Sequence, residues 1–133
     1  MKSYFVDTNY FLRLFIKDNG DQYDTVYDLF KQAIEGRVHL STSVVVFFEI
    51  YWVLSSFYND DKKQAIGILR KVLQMDFLSI ENKALLRASL ELFEITSIEP
   101  EDCYNVIYLK STSLSNFATF DKKVLSVLKQ LHL

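Results

Sequence analysis

The sequence has 133 residues, 50% of them hydrophobic, and a formal net charge of -2. That length and apolar share suit one domain with one core, and the near-neutral balance excludes a global positive field, so any polyanion site must be local or metal-borne. A single cysteine, Cys103, excludes an internal disulfide, and with His39 and His132 as the two histidines it argues against structural zinc and for a reducing, cytoplasmic setting.

Residues 3–6 are aromatic and β-branched and predict a buried first strand that carries Asp7 to its C-terminal edge, where open α/β sheets bind ligands. Asn9 is placed to cap a helix through residue 17, with Tyr10, Leu14, Phe11 and Phe15 inward. Residues 18–21 end it with turn chemistry, and residues 21–35 repeat apolar side chains at helical spacing up to Gly36 as terminator. A short strand over 38–40 and caps at 41–43 precede a very apolar helix over 44–58. Asn59, Asp60 and Asp61 mark a turn before an amphipathic helix through Ala65, Ile66, Leu69, Val72 and Leu73. Residues 77–80 read as a strand, Asn82 as the cap of a helix to 96, and Pro100 as the first-turn proline of a helix to 111. Residues 116–120 predict the last clear strand and 122–130 a closing helix, with a further strand over 131–133.

Strands separated by helices imply an α/β domain over 1–133, a mostly parallel sheet covered on both faces. The run 44–48 is broken by Glu49 before 50–54 continue, short of the roughly 20 apolar residues of a membrane span. Lys2 is followed by Asp7 before a signal-peptide core forms, so the expectation is a soluble, unprocessed protein. Three glycines leave no room for a Gly-rich phosphate loop or a flexible linker.

Four acids stand out. Asp7 and Asp121 each follow a predicted strand and precede a helix, and capping is a sufficient role for either alone. Asp102 falls in a first turn, where negative charge complements the helix dipole, and Glu99 or Glu101 would serve equally. Glu49 differs: on a helix its neighbours at three and four positions are Val45, Val46, Trp52 and Val53. Burying an unpaired carboxylate costs several kcal/mol, so Glu49 should be protonated, bound to a cation or paired with an Arg or Lys. Hard oxygen ligands of this kind suit Mg2+ or Mn2+.

In order along the chain stand Phe5 Val6 Asp7 Thr8 Asn9 with Leu12 Arg13, Glu49 in an apolar helix, Glu101 Asp102 opening a late helix, and Ala118 Thr119 Phe120 Asp121 Lys122. This pattern resembles the PIN-domain family over nearly the whole chain, and its length is similar to that of single-domain VapC-type toxins of toxin-antitoxin pairs. The two end motifs carry most of the specificity. The resemblance implies a three-layer fold of four to five strands in the order 3-2-1-4-5 with about seven helices. It makes Asp7, Glu49, Asp102 and Asp121 the catalytic metal ligands, with Thr8, Asn9 and Thr119 as supporting polar positions and Asn105 as a further polar group or a surface residue. Asp102 is followed by Cys103 and bulky Tyr104 where the family carries small residues.

The activity so implied is endoribonuclease cleavage of structured RNA with Mg2+ or Mn2+, leaving 5'-phosphate and 3'-hydroxyl ends. Clustered carboxylates repel one another, so a cation should stabilise the fold and Asp7→Asn should raise the melting temperature in chelator. Arg13, Lys17, Lys110, Lys122 and Lys123 are candidate RNA contacts, each also explicable as solvated surface charge. Tyr51, Trp52, Phe57 and Tyr58 crowd one helix, and beyond core packing they suit an antitoxin groove or a homodimer face.

Two other strand-borne aspartate chemistries fail on their own requirements. A haloacid-dehalogenase-type phosphatase needs Asp-x-Asp-x-Thr, where this chain has Asn9 and Phe11, and a receiver domain needs an acid where residues 41–43 are Ser, Thr and Ser. The remaining alternative is a catalytically inactive PIN-like module that binds RNA or protein.

Overall fold

The computed structural model describes residues 1–57 and 61–133, so the predicted helix end at Tyr58 and the turn residues Asn59 and Asp60 lie outside the described residues. The chain divides into two units, Met1–Glu81 and Asn82–Leu133. Among the described residues there are seven helices and a three-stranded parallel sheet, a mixed α/β architecture. None of the described helices is long and apolar enough to cross a membrane.

The first unit holds the sheet, in the order β1 (Lys2–Phe5), β2 (Val38–Thr42), β3 (Leu78–Ile80). Its register pairs Tyr4 with Leu40 and Leu40 with Leu78. β2 alternates as a half-buried strand does, with Val38, Leu40 and Thr42 buried and His39 exposed. β1 departs from the buried strand expected at 3–6: Lys2–Phe5 is exposed along its length, Phe5 by 62%, and burial begins at Val6. The physical reason is that, among the described elements of its unit, β1 packs extensively against β2 alone, so no helix there covers the faces of its side chains.

Val6 is held on both sides of its peptide. Its N–H donates to Ser41 O at 2.8 Å, and the buried Thr42 Oγ1 donates to Val6 O at 2.8 Å. The chain then turns into α1 (Thr8–Ile16), which ends at Lys17 in the left-handed region with φ 59°. α1 buries Thr8, Phe11 and Leu12, whereas Tyr10, predicted inward, is 37% exposed. Phe11 packs edge-on against Phe30 of α2 (Gly20–Ile34), which Asn19 caps through Gln22 N. Gly36, at φ 77°, follows α2 in the left-handed conformation that glycine adopts without a Cβ penalty. Ser43 Oγ accepts from Val46 N at 3.3 Å and Glu81 Oε1 from Val44 N at 3.0 Å, fixing the start of α3 (Val44–Phe57). α4 (Lys62–Leu73), capped by Asp61, buries Ala65, Ile66, Leu69, Val72 and Leu73, the stripe its periodicity predicts.

The second unit is helical: α5 (Lys83–Ile95), α6 (Pro100–Ser111) and α7 (Lys122–Gln130). α5 and α6 pack together through buried residues that include Leu86, Leu90, Phe93, Cys103 and Val106. Asn82 stands at the N-cap position of α5 at φ 52°, but its side chain makes no capping bond and Nδ2 instead donates to Tyr104 Oη at 2.9 Å.

The strands predicted over 116–120 and 131–133 do not form among the described residues, so three strands stand where four to five were expected. Local bonds bend the first segment away from a ladder. Asn116 Nδ2 donates to Ser115 Oγ, Asp121 N donates to Thr119 Oγ1, and Phe120 is fully exposed. The C-terminal residues instead close α7, with Leu131 N bonded to Val127 O and Leu133 N to Leu128 O.

Candidate active site

In the first unit, the anchored end of β1 places Asp7 as the N-cap of α1, with Oδ1 accepting from Thr8 N at 2.8 Å. Asp7 takes this role, and not Asn9, which is an exposed residue of the first turn. Thr8, buried to 6% exposure, donates from Oγ1 to Glu49 Oε2 at 2.8 Å across 41 positions of sequence. The neighbouring residues Asp7 and Thr8 thus tie the start of α1 to a carboxylate on α3.

Glu49 itself is exposed, which overturns the premise that it is a carboxylate buried in an apolar helix. The neighbours that suggested burial are themselves partly on the surface: Val45 is 64% exposed, Trp52 47% and Val53 39%. Water solvates this carboxylate, so its partner Thr8 directs it and is not required to neutralise it.

In the second unit, Asp121 caps α7, with Oδ1 accepting from Lys123 N at 2.9 Å and Val124 N at 3.1 Å, while Thr119 Oγ1 accepts from Asp121 N at 3.0 Å. Asp102 lies in the first turn of α6 and takes a hydrogen bond from the Glu99 backbone. Burial pushes its carboxyl above the usual carboxylate range and the nearby Asp121 charge adds to the push, against the opposing pull of that bond. Asp102 and Asp121 line one cavity of about 340 Å³ with Ser97, Glu99, Lys122 and Lys123. Ser97 there had no sequence signal of its own, whereas Glu99 was legible as an acid at the start of α6.

Each acid has a local structural task and retains a second oxygen for another. Asp7 and Asp121 use Oδ1 in the caps just described. Among the described residues, no group of three or more His, Cys, Asp or Glu side chains is arranged to hold a metal ion, and the acids come as a pair in each unit.

The other candidates separate. Arg13 donates from Nε to Gln22 Oε1 and forms an ion pair with Asp18 at 3.3 Å, and Lys17 Nζ lies 5.4 Å from the Tyr23 ring centroid. Both cations serve the α1–α2 junction. Lys110 and Asn105 are exposed on α6, whereas Lys122 and Lys123 stand on the wall of the acidic cavity. Tyr104 is engaged by Asn82, two residues from Asp102 on the same helix.

With this geometry in place, comparison with known families is decisive for class. The PIN domain matches residues 4–129 of the chain, and the chain belongs to that family. No characterised protein and no solved structure matches it. PIN domains are in general nucleases that use divalent metal ions. The oxygens on the acidic cavity are donors of the kind such an ion takes, and the Asp121 charge, which adds to the effect of burial on Asp102, is what a bound cation would offset.

Proposed function

We propose that this chain is an endoribonuclease that hydrolyses phosphodiester bonds of structured RNA with Mg2+ or Mn2+, and that it is the VapC-type toxin of a toxin-antitoxin pair. The observation that carries this reading is the Asp102–Asp121 pair, two carboxylates that line one cavity with Lys122 and Lys123, where the Asp121 charge adds to the burial that raises Asp102. Asp7 and Glu49 of the first unit and Asp102 and Asp121 of the second are the residues assigned to the metal. A divalent cation held by such carboxylates would supply an activated water and would neutralise charge on the phosphodiester. Thr8 aims Glu49, Thr119 fixes the turn that presents Asp121, and Lys122 and Lys123 attract the phosphate backbone. Asn9 and Asn105, both exposed, are proposed only as further polar groups, each on the helix start or helix that carries an acid of its own unit.

The partner surface is assigned to α3, where Trp52 and Phe57 are 47% and 54% exposed beside Val45 and Val53. A homodimer face or an antitoxin segment suits such a patch, since aromatic side chains concentrate in interface cores. Light scattering of the isolated chain tests the dimer, and a clean monomer at high concentration removes it. The intended compartment is the cytoplasm, in keeping with a single, buried cysteine that leaves no internal disulfide to form.

The assay is cleavage of a folded RNA with Mn2+ or with chelator, by the wild type and by Asp7→Asn. Metal-dependent cutting that the substitution abolishes supports the proposal; undiminished cutting by Asp7→Asn removes Asp7 from the mechanism. A non-cutting binding module is the second reading, favoured by the complete capping roles of Asp7 and Asp121. RNA binding without cleavage under any metal selects it.

A further inference from the structure

The second unit carries two cavities side by side. The acidic one is walled by Asp102 and Asp121; the other, about 430 Å³, is lined by Thr96, Ser97, Lys123, Ser126, Val127 and Gln130. Ser97 and Lys123 belong to both, so the cavities adjoin across these two side chains. Positions 123, 126, 127 and 130 share one face of α7, because residues three, four and seven apart align on a helix.

Their chemistries differ sharply. The acidic cavity has Glu99, Asp102 and Asp121 in its wall, whereas no carboxylate lines the second. The second instead offers hydroxyls from Ser97 and Ser126, the amide of Gln130 and an apolar surface from Val127 and Ile95. A cation, neutral polar side chains and an apolar surface lining one space of this size are the ingredients of a small-molecule site. A ligand spanning both cavities must put negative charge near Lys123 and neutral, donor-rich and acceptor-rich chemistry beyond it. A ribonucleotide has that division, with phosphate at one end and base at the other.

We infer that the second cavity is a nucleotide-binding subsite: it receives the nucleotide next to the scissile phosphate, with Lys123 against the phosphate and Ser126 and Gln130 against the base edge. This inference rests on the nuclease reading and adds to it a determinant of where the RNA is cut. Unstacked bases in loops and bulges are the parts of structured RNA a protein can seat this way. Gln130 carries a donor and an acceptor on one planar amide, so it discriminates between bases that present different edges.

Two measurements test it, and the first needs no catalysis. In chelator, nucleoside 5'-monophosphates titrated into the 15N-labelled chain are expected to shift the amides of Lys123, Ser126 and Gln130, and Ser126→Trp, which puts a bulky ring on the cavity wall, to remove the shifts. In metal, Gln130→Ala is expected to raise KM for RNA about 10-fold, more than it changes kcat, and to relax base preference at one position beside the cut. Monophosphate shifts confined to other residues overturn the subsite. So does an unchanged cut-site pattern and KM in both variants, with the nuclease reading then left standing. A wild type that binds monophosphates on α7 yet never cuts RNA does the reverse: the nucleotide pocket survives and the nuclease reading fails.

Discussion

Replacing Thr8 by Val keeps the shape of the side chain and deletes one bond, the 2.8 Å donation from Oγ1 to Glu49 Oε2. Thr8 is 6% exposed, so no water takes its place easily, and valine fills the same space without a cavity. Hydrogen bonds to charged groups contribute about 1.5 to 3 kcal/mol, but Glu49 is exposed and regains water when released, which lowers the expected loss to about 0.5 to 1.5 kcal/mol. At roughly 2.1 cal/mol/K per residue, the 133-residue chain has an unfolding entropy of about 0.28 kcal/mol/K, so each kcal/mol moves the melting temperature by about 3 to 4 °C. Thr8→Val should therefore melt about 2 to 5 °C lower in chelator. A freely rotating Glu49 should also weaken Mn2+ binding about 10-fold, as loss of an orienting partner does at metal sites. Thermal melts of a double-mutant cycle with Glu49→Gln give the coupling directly, expected at about 0.5 to 1.5 kcal/mol. A coupling of zero, with Mn2+ affinity intact in Thr8→Val, refutes the argument that Thr8 aims Glu49.

Three other outcomes follow from the geometry. A carboxyl whose folded value is raised contributes stability that is complete below its unfolded value, about 3.9, and is lost as pH rises through the folded value. Burial, and after it the Asp121 charge, raise Asp102, so in chelator Asp102→Asn should melt higher than the wild type near neutrality and approach it toward about pH 4; parallel melting profiles from acid to neutral would falsify the raised Asp102 carboxyl. Asp121→Asn retains a capping side chain whereas Asp121→Ala loses the bonds to Lys123 N and Val124 N, so alanine should cost about 1 kcal/mol and asparagine little. Both should abolish cleavage, and cutting by Asp121→Asn reduces Asp121 to a cap. Thr42→Val strands the buried Val6 carbonyl and should cost about 1 to 3 kcal/mol by chemical denaturation; no loss means β1 is anchored elsewhere.

Beside the repulsion expected at Asp7, the structure shows Asp102 raised by burial first and by the Asp121 charge second, on a cavity the two share. Helix boundaries were legible where a cap or a proline marks them: Pro100 opens α6 and the predicted span matches Pro100–Ser111, and α7 runs over Lys122–Gln130 as its pattern indicates. What failed depends on neighbours and not on the segment itself. The sequence of β1 reads as buried because Tyr4, Phe5 and Val6 are apolar, yet only the last is covered. Glu49 looked buried for a related reason, since its helical neighbours were assumed to face a core and three of them are exposed. Residues 116–120 have strand propensity, but the Thr119 hydroxyl takes the Asp121 N–H in a local turn in place of a ladder bond. The cavity beside α7 was invisible because Ser126 and Gln130 carry no motif, and only the folded helix shows that they share a face with Lys123.

The central claim is that this PIN domain cuts RNA with a divalent metal, and the most direct measurement is product analysis of an end-labelled structured RNA incubated with the chain and Mn2+. The account predicts internal cuts bearing 5'-phosphate and 3'-hydroxyl ends, absent in chelator and absent with Asp121→Asn. Cuts that persist in chelator, or an intact RNA at every Mn2+ and Mg2+ concentration, contradict it.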